Sequence, residues 1–447
     1  MRIILPEIKE LLGTKQQRII RRVLSYFEPA DIAEVWSDFT PEERLKLFNI
    51  LDVKLAADIF EFLEEDQMIE LLENLPARRK IAVLNEMSPD DRTDLFAALP
   101  AGEVEKIIPL LDLDEQNRAR ELLAYKANTA GGLMTTDYIT VPETANIADA
   151  LRELRTKGRD IDFIQNIYVV DKVHRLQGII PLKNLLTATP RQRVERVMDG
   201  HFPSVGLEMD QEDVAHMFGK YDVISLPVLD KLGRIRGIIT VDDVIDVIKE
   251  EASEDIYRFS ASGVVDEYLS ENPLIIARKR GMWLLVLALA GFVSGAVLEH
   301  YSFLLSSIVT LSFFIPILMN TSGSAGTQAA TVVIRSLAIK RIRIDDIWKV
   351  VKKEFVVGIL VGLVSGAVTA LRAIILNQNP TLALTVMAAM AMTIVLATVL
   401  GGVLPLFFAR VGLDPALMSG PLITTILDTA TLIIYFNVAI FFYGVFE

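Results

Sequence analysis

A single carboxylate lies inside the last apolar segment of the chain. Asp428 is the only charged residue between Asp414 and Glu447, and residues 421–446 are otherwise apolar or weakly polar. A helix of this length reaches across a bilayer at about 1.5 Å per residue. A carboxylate at that depth is costly unless it faces water, a partner group or a cation. The pattern therefore predicts that Asp428 lies on an ion path; the alternative is a protonated Asp428 bonded to a neighbouring helix.

A second group of carboxylates lies in residues 241–259, whose sequence is VDDVIDVIKEEASEDIYRF. Acidic residues recur there at intervals of three and four, so in a helix they share one face. Like charges at this spacing destabilise a helix, and a divalent cation would relieve the repulsion. A solvated charged face is the alternative. The candidate cation ligands are Asp243, Asp246, Glu250 and Glu254 on this face, with Glu251 and Asp255 in a second row.

Further candidate carboxylates precede this segment. Ser88-Pro89-Asp90-Asp91 has the pattern of a helix start, with a Ser cap, Pro at the first helical position and acids in the first turn. Interaction with the helix dipole explains the two acids as well as a bound cation does. The regulatory cation ligands predicted outside residues 241–259 are Asp91, Asp94, Glu212 and Asp222.

Composition restricts the kind of metal ion that the chain can bind. The chain has no Cys, and its four His residues are scattered, so no thiolate or imidazole metal site is predicted. Carboxylates suit a hard cation such as Mg²⁺, Ca²⁺ or Mn²⁺. Residues 1–271 carry 51 acidic and 33 basic residues, whereas residues 272–447 carry 7 acidic and 12 basic ones. The acidic first part argues against a nucleic-acid partner, which needs a basic face.

Residues 1–127 have the pattern of a superhelical all-α domain. Short amphipathic segments recur at intervals of roughly a dozen residues, and Leu-Pro or Ser-Pro pairs precede several of them. Short helices at such a period stack as a solenoid.

The middle of the chain contains an internal repeat. Residues 164–186, IQNIYVVDKVHRLQGIIPLKNLL, resemble residues 223–245, VISLPVLDKLGRIRGIITVDDVI. The duplicated βαββα unit resembles a tandem pair of CBS domains, a regulatory module that often binds adenine nucleotides. Thr240 and Asp243 match the ribose-contacting Thr-x-x-Asp pattern of that family, whereas the first copy has Pro181-Leu-Lys-Asn184. The resemblance implies one site for ATP or another adenine nucleotide; a first-turn helix acid is the alternative for Asp243.

The C-terminal part predicts five membrane spans, at residues 282–298, 303–338, 355–376, 384–408 and 421–446. Lys and Arg accumulate in cytoplasmic loops. With the N-terminus inside, eleven basic residues flank the spans on the inner side and Arg372 alone on the outer side. The apolar stretch of MRIILPEIKE is too short for a cleavable signal peptide. We therefore expect a multi-pass protein of the inner or plasma membrane, with its N-terminus cytoplasmic and its C-terminus outside.

These features together resemble the MgtE family of bacterial magnesium channels over essentially the whole chain. Ser324 departs from the family, which usually has Asn after Gly323. The resemblance implies a homodimer with the pore on its axis, where Asp428 holds hydrated Mg²⁺ with help from backbone carbonyls near Thr424 and Gly326. The segments that carry the resemblance are AGGLMTTDY (130–138), ITVDDVIDVI (239–248), PILMNTSGSAGTQAATVVIRSLA (316–338) and LDPALMSGPLITTILDTATLIIYF (413–436).

The predicted architecture is multidomain. It comprises a superhelical regulatory domain (1–127), an α/β tandem CBS pair (128–250), a connecting helix (251–273) that begins near residue 241, and a helical pore domain (274–447) with five spans.

The expected function is a Mg²⁺ channel that carries Mg²⁺ down its electrochemical gradient and is closed by cytoplasmic Mg²⁺. No Walker loop and no nucleophile–base constellation occurs in the sequence, which argues against an ATP-driven pump and against an enzyme. A cation/Mg²⁺ exchanger is one alternative. A membrane-tethered metal or nucleotide sensor that transports nothing is another.

Overall fold

The computed structural model describes the chain in two compact units, residues 1–248 and residues 249–447. The described residues are 1, 5–14, 16–159, 161, 163–262, 272–377, 379–417 and 420–444.

The first unit begins with ten short helices. Each carries a few apolar residues on one side, and helices two apart in sequence, such as α5 with α7 and α6 with α8, pack on each other. This arrangement confirms the predicted stack of short helices. The helices are α1 (Leu5–Leu12), α2 (Gln17–Leu24), α3 (Pro29–Glu34), α4 (Pro41–Ile50), α5 (Val53–Glu61), α6 (Glu65–Asn74), α7 (Ala77–Glu86), α8 (Pro89–Ala98), α9 (Ala101–Ile107) and α10 (Leu113–Leu122).

Two helix starts show how the sequence fixes this stack. Thr40 and Glu43 form a capping box at α4, in which the Thr40 hydroxyl accepts from the Glu43 amide and the Glu43 carboxylate accepts from the Thr40 amide. Ser88 caps α8 by accepting from the Asp91 amide, as its sequence predicts.

The rest of the first unit is the predicted α/β repeat. In each copy a parallel strand pair is extended by an antiparallel strand, giving the sheet orders β1-β2-β3 and β4-β5-β6. The elements are α11 (Ala130–Leu133), β1 (Thr140–Pro142), α12 (Ile147–Lys157), β2 (Asn166–Val170), β3 (Leu176–Pro181), α13 (Leu182–Thr187), β4 (Val205–Gly206), α14 (Gln211–Tyr221), β5 (Ser225–Leu229), β6 (Ile235–Thr240) and α15 (Val241–Phe259).

The two copies pack against each other through their sheets. Tyr168 of β2 and Ile238 of β6 belong to one buried apolar cluster. The Asn166 amide donates to the Ser225 hydroxyl at 3.1 Å, which links β2 to β5. Paired sheets of this kind fit the tandem module that the repeat predicts.

The second unit holds the rest of α15 and six further helices. Residues 273–300, 344–376, 380–410 and 420–443 are long and apolar enough to cross a membrane. The 24-residue α18 lies among these helices and would extend about 36 Å at 1.5 Å per residue; the count of five spans stays a prediction. The helices are α16 (Pro273–His300), α17 (Ser302–Ser307), α18 (Ile315–Ala338), α19 (Ile347–Asn377), α20 (Pro380–Arg410) and α21 (Gly420–Tyr443).

Glycines at four-residue spacing bring α19 and α20 together. A Cβ at Gly358, Gly362 or Gly366 would lie within 2.9 Å of an atom of α20. Small residues let membrane helices approach closely in this way. In contrast, a Cβ at Gly291 or Gly295 of α16 would meet nothing within 4 Å, and none of the residues of α16 is buried.

Candidate ion path and carboxylate clusters

Asp428 lies in the middle of α21, which packs on α18, α20 and α16. Its side chain is partly exposed. Among the described residues, no side chain donates a hydrogen bond to its carboxylate or forms an ion pair with it. The predicted alternative, a protonated Asp428 bonded to a neighbouring helix, therefore finds no partner in this part of the chain.

The two other predicted pore residues lie at the contact between α18 and α21. Thr424 packs against Gly323, where a Cβ would stand 3.1 Å from the Thr424 methyl group. The Thr424 hydroxyl donates to the Pro421 carbonyl of its own helix at 2.9 Å. A Cβ at Gly326 would overlap the Leu427 side chain and stand 3.2 Å from the Ala397 carbonyl oxygen. Gly326 thus has the geometry of a helix-packing glycine, and a ligand role for its carbonyl stays a prediction.

Two hydroxyl pairs join α21 to its neighbours on either side of Asp428. The Ser322 and Thr431 hydroxyls lie 2.7 Å apart between α18 and α21. The Ser294 and Thr429 hydroxyls lie 2.7 Å apart between α16 and α21. Neither pair was predicted from the sequence, because Ser and Thr are common in apolar helices and their partners depend on helix packing.

A cluster of carboxylates forms in the first unit where α8 meets the start of α15. Burial, assisted by the neighbouring Asp90 carboxylate, raises the pKa of Asp243 to about 8. Burial and the Asp91 carboxylate raise the pKa of Asp90 to about 6. Burial also raises the pKa of Asp91, which is repelled by Asp242 and Asp246 as well. These shifts indicate that burial and mutual repulsion both disfavour the ionised form of these carboxyl groups.

Glu61, at the end of α5, extends this cluster. Burial, with repulsion from Asp91, raises the pKa of Glu61 to about 8, although its carboxylate accepts a hydrogen bond from the Ser88 amide at 3.2 Å. The buried Arg92 fixes α8 by donating to the Leu84 carbonyl at 3.0 Å and pairing with Glu115. Glu61 was not predicted as a ligand, because its proximity to Asp90 and Asp91 depends on how the helices stack.

The cluster has the type of ligand that a cation site needs, but its carboxylates do not converge on one point. In the part of the chain that the structure describes, no donor forms a hydrogen bond with the buried Oδ1 of Asp90. A buried carboxylate oxygen of this kind suits a hard cation. Among the described residues, however, no three His, Cys, Asp or Glu side chains converge closely enough to hold a metal ion. The carboxylates would have to draw together around it.

A second carboxylate cluster lies in the second unit at the end of α15. Arg258 forms ion pairs with Glu254 of its own helix and with Asp414, which follows α20. Burial, together with repulsion from Asp414 and Glu251, raises the pKa of Asp255. Glu251, Glu254 and Asp255 are predicted ligands, whereas Asp414, which lies more than 150 residues further along the chain, was not predicted.

The end of α15 also contacts the start of the helix that carries Asp428. The ring of Phe259 lies 3.6 Å from where a Cβ on Gly420 would stand, and Gly420 is the first residue of α21. Phe259 packs against the apolar core of the second unit. A movement of α15 would therefore reach α21 directly.

The structure places the remaining predicted ligands on other parts of the helices. Asp94 lies in α8, one turn beyond Asp90 and Asp91. Glu212 lies in the first turn of α14, and Asp222 follows that helix with a left-handed backbone at φ 50°. Glu250 lies in the second unit, on α15. These four residues stay predicted ligands.

Thr240 and Asp243, the two predicted nucleotide-contacting residues, form a hydrogen bond with each other. The Thr240 hydroxyl donates to the Asp243 carboxylate at 2.6 Å, and Asp243 also faces Asp90 in the cluster described above. The Thr240 amide donates to the same carboxylate at 3.3 Å. Asp243 is thus a first-turn acid of α15, which is the alternative that the sequence leaves open; a nucleotide contact stays a prediction.

A partly exposed carboxylate among apolar helices, joined to a stack of short helices and two CBS-type units, fits the class of cation-transport proteins. Residues 315–438 match the family described as MgtE, divalent cation transporter. Residues 27–128 match the MgtE intracellular N domain, and residues 130–191 and 194–250 each match the CBS domain.

Full-length relatives agree with these matches. The chain is 35% identical over 436 residues to "Magnesium transporter MgtE" of Thermus thermophilus, covering 97% of each chain. It is 33% identical to the protein of that name from Enterococcus faecalis, covering 97% of this chain and 96% of the relative. A crystal structure of the cytosolic domain of the Mg²⁺ channel MgtE in complex with ATP is 35% identical, with a TM-score of 0.52, and covers 54% of this chain and 98% of that one. The chain belongs to the MgtE family.

Proposed function

We propose that this chain is a Mg²⁺ channel with Asp428 on its ion path, closed by cytoplasmic Mg²⁺ that binds the carboxylates of α8 and α15. Membership of the MgtE family supports Mg²⁺ as the transported ion. The single observation that carries the site is the Asp428 carboxylate, which lies in a membrane helix and is partly exposed. A charge at that depth needs water or a cation beside it.

The pore requires a second copy of the chain. One carboxylate cannot balance a divalent ion, whereas a homodimer would present Asp428 twice around one axis. Mg²⁺ dehydrates reluctantly, so we infer that the carboxylates hold a hydrated ion through its water shell, with the backbone carbonyls near Thr424 and Gly326 as further acceptors. The sparse packing of α16 within one chain supports an additional partner, either lipid or the second copy.

Transport would need no chemical reaction. The membrane potential supplies about 2.3 kcal/mol per charge per 100 mV, hence about 4.6 kcal/mol for a divalent ion. The positive-inside rule supports a bilayer orientation with the N-terminus cytoplasmic and the C-terminus outside. The acidic regulatory unit would then sample Mg²⁺ on the side to which Mg²⁺ flows.

Regulation would follow from the raised pKa values in the carboxylate clusters. Mg²⁺ that bridges the crowded carboxylates would bind the packed state better than the open one, and such differential affinity shifts an equilibrium. The regulatory ligands we propose are Asp91, Asp94, Glu212, Asp222, Asp243, Asp246, Glu250, Glu251, Glu254 and Asp255. We also propose that an adenine nucleotide binds the CBS pair, supported by the related structure that contains ATP.

The pore assignment is tested by Mg²⁺ flux into liposomes that contain the purified protein. We expect Asp428→Ala to abolish uptake nearly completely while the protein stays dimeric and folded. Thr425→Val is the matched control, because the Thr425 hydroxyl bonds only to the Pro421 carbonyl of its own helix among the described residues. Wild-type flux through Asp428→Ala would exclude the assignment.

The regulatory assignment is tested by patch recordings at low and high cytoplasmic Mg²⁺. Joint replacement of Asp243, Asp246, Glu250 and Glu254 with Ala should leave conduction intact and remove its block by Mg²⁺. If these acids only concentrated cations for the pore, flux would instead fall at every Mg²⁺ concentration. A variant blocked like the wild type would refute the role of α15 in closure.

A cation/Mg²⁺ exchanger and a sensor that transports nothing are the alternative functions. An exchanger would show uptake only with a counter-ion on the opposite side. A sensor would show no flux at all, and Asp428→Ala would then change only the stability of the protein.

A further inference from the structure

The threonine hydroxyls on α21 differ in whether they contact another helix. Those of Thr424 and Thr425 donate to the Pro421 carbonyl of their own helix, at 2.9 and 2.8 Å. Thr431 instead meets a hydroxyl of another helix, Ser322 of α18, at 2.7 Å. Thr429 meets Ser294 of α16 at 2.7 Å, and its hydroxyl also donates to the Thr425 carbonyl of its own helix at 3.5 Å.

The contact between Ser322 and Thr431 is buried and directional. Ser322 is fully buried, and Thr431 is only 2% exposed. The Ser322 hydroxyl donates to the Met319 carbonyl of its own helix at 3.1 Å. Its oxygen is therefore left to accept the Thr431 proton, and among the described residues it is the only hydrogen-bond partner of the Thr431 hydroxyl.

The two hydroxyl pairs bracket Asp428 around the axis of α21. Successive residues of an α-helix are about 100° apart. Thr431 therefore stands about 60° from Asp428 on one side, and Thr429 about 100° away on the other. A bond to α18 on one side and to α16 on the other opposes rotation of the helix in either direction.

We propose that Ser322 and Thr431 are positioning residues that fix the rotation of α21 and so aim the Asp428 carboxylate at the ion path. The proposal rests on the proposed function of Asp428. A carboxylate lies roughly 5 Å from the helix axis, given a Cα radius of about 2.3 Å. A rotation of about 20° would then move it almost 2 Å, enough to change how it holds a hydrated ion.

The first test compares flux through the variants Thr431→Val and Ser322→Ala. We expect the Mg²⁺ concentration at half-maximal flux to rise about threefold to tenfold in each, the size expected from the loss of one interhelical hydrogen bond in a membrane. Thr431→Ser keeps the hydroxyl and should restore the wild-type concentration. Thr393→Val is the control, because this equally buried hydroxyl donates to the Met390 carbonyl of its own helix.

The second test does not depend on Mg²⁺ transport. The chain has no Cys, so Asp428→Cys introduces a single thiol whose reaction rate with a water-soluble thiosulfonate reports its access to water. Adding Thr431→Val should slow this reaction about threefold or more, whereas adding Thr393→Val should leave it unchanged. If Thr431→Val fails to fold, Ser322→Ala serves in its place.

The outcomes distinguish the assignment of Asp428 to the ion path from the positioning role of Ser322 and Thr431. A thiol at position 428 that does not react in the parent protein would overturn the ion path itself, and the positioning role with it. A reactive thiol whose rate is the same with Thr431→Val and Thr393→Val would overturn the positioning role alone. Equal half-maximal concentrations for those two variants in the flux test would do the same.

Discussion

Replacing Asp243 with Asn should stabilise the contact between α8 and α15 in the absence of Mg²⁺. Asn has nearly the same shape as Asp, and its carbonyl can still accept the hydrogen bond from the Thr240 hydroxyl. Asn also needs no protonation, whereas burial and Asp90 raise the pKa of Asp243 to about 8, so the carboxyl must take up a proton to pack at neutral pH. The substitution therefore removes the cost of protonating a buried carboxyl and keeps the hydrogen bond to Thr240 at the start of α15.

The size of the stabilisation by Asp243→Asn follows from proton linkage. With α8 packed on α15 the Asp243 carboxyl holds its proton up to about pH 8, whereas a solvated Asp loses it near pH 3.9. Across this window the packed state binds one proton more, so its stability falls as pH rises, by about 1.4 kcal/mol per pH unit. From pH 6 to pH 7.5 the wild type should lose about 2 kcal/mol through this group, a change of roughly thirtyfold in the packing equilibrium. Asp243→Asn should lose none of this.

Hydrogen exchange of the α8 amides in the full-length protein, with EDTA at several pH values, measures this equilibrium. After correction for intrinsic exchange, protection of α8 should fall with pH in the wild type and less steeply in Asp243→Asn. Glu103→Gln is the control, since it removes an equal charge from an exposed site on α9. Adding Mg²⁺ should flatten the wild-type curve, because the cation replaces the protons. Equal slopes for the wild type and Asp243→Asn would show that this carboxyl is ionised in the packed state and would refute the reasoning.

Two further predictions concern the membrane helices. Gly326→Ala should destabilise the helix bundle by about 1–3 kcal/mol, since the new methyl overlaps Leu427; thermal unfolding in detergent measures this, and Gly291→Ala, which meets nothing within 4 Å, should unfold like the wild type. Tyr435→Phe should cost about 1–3 kcal/mol, because the buried Leu311 carbonyl loses the phenol that donates to it at 2.9 Å; an unchanged unfolding temperature would contradict this.

Short-range sequence patterns predicted several helices and strands correctly. The Ser88-Pro89 start of α8, the strand–turn–strand–helix order of the repeat and the helix over residues 241–259 are all confirmed. Each depends on caps, β-branched runs or apolar period, which act within about a dozen residues. The lone Asp428 was visible for the same reason, because a single charge in an apolar run is a local feature.

Long-range pairings were not predictable from the sequence alone. Asp414 joins Arg258 across more than 150 residues. Glu61 reaches the α8 cluster only because the end of α5 lies beside the Ser88 amide at the start of α8. The partner of Thr431 depends on which face of α18 turns toward α21. These contacts depend on how the helices pack, and the spacing of residues along the chain does not predict them.

Potential-driven Mg²⁺ uptake into liposomes without any counter-ion gradient tests the central claim most directly. For a divalent ion, an inside-negative potential of 100 mV supplies about 4.6 kcal/mol, so a channel should accumulate Mg²⁺ steeply as the potential is raised. We predict uptake that follows the imposed potential in the wild type and is absent from Asp428→Ala. Uptake that ignores the potential and appears only with an opposing cation gradient would contradict the channel mechanism.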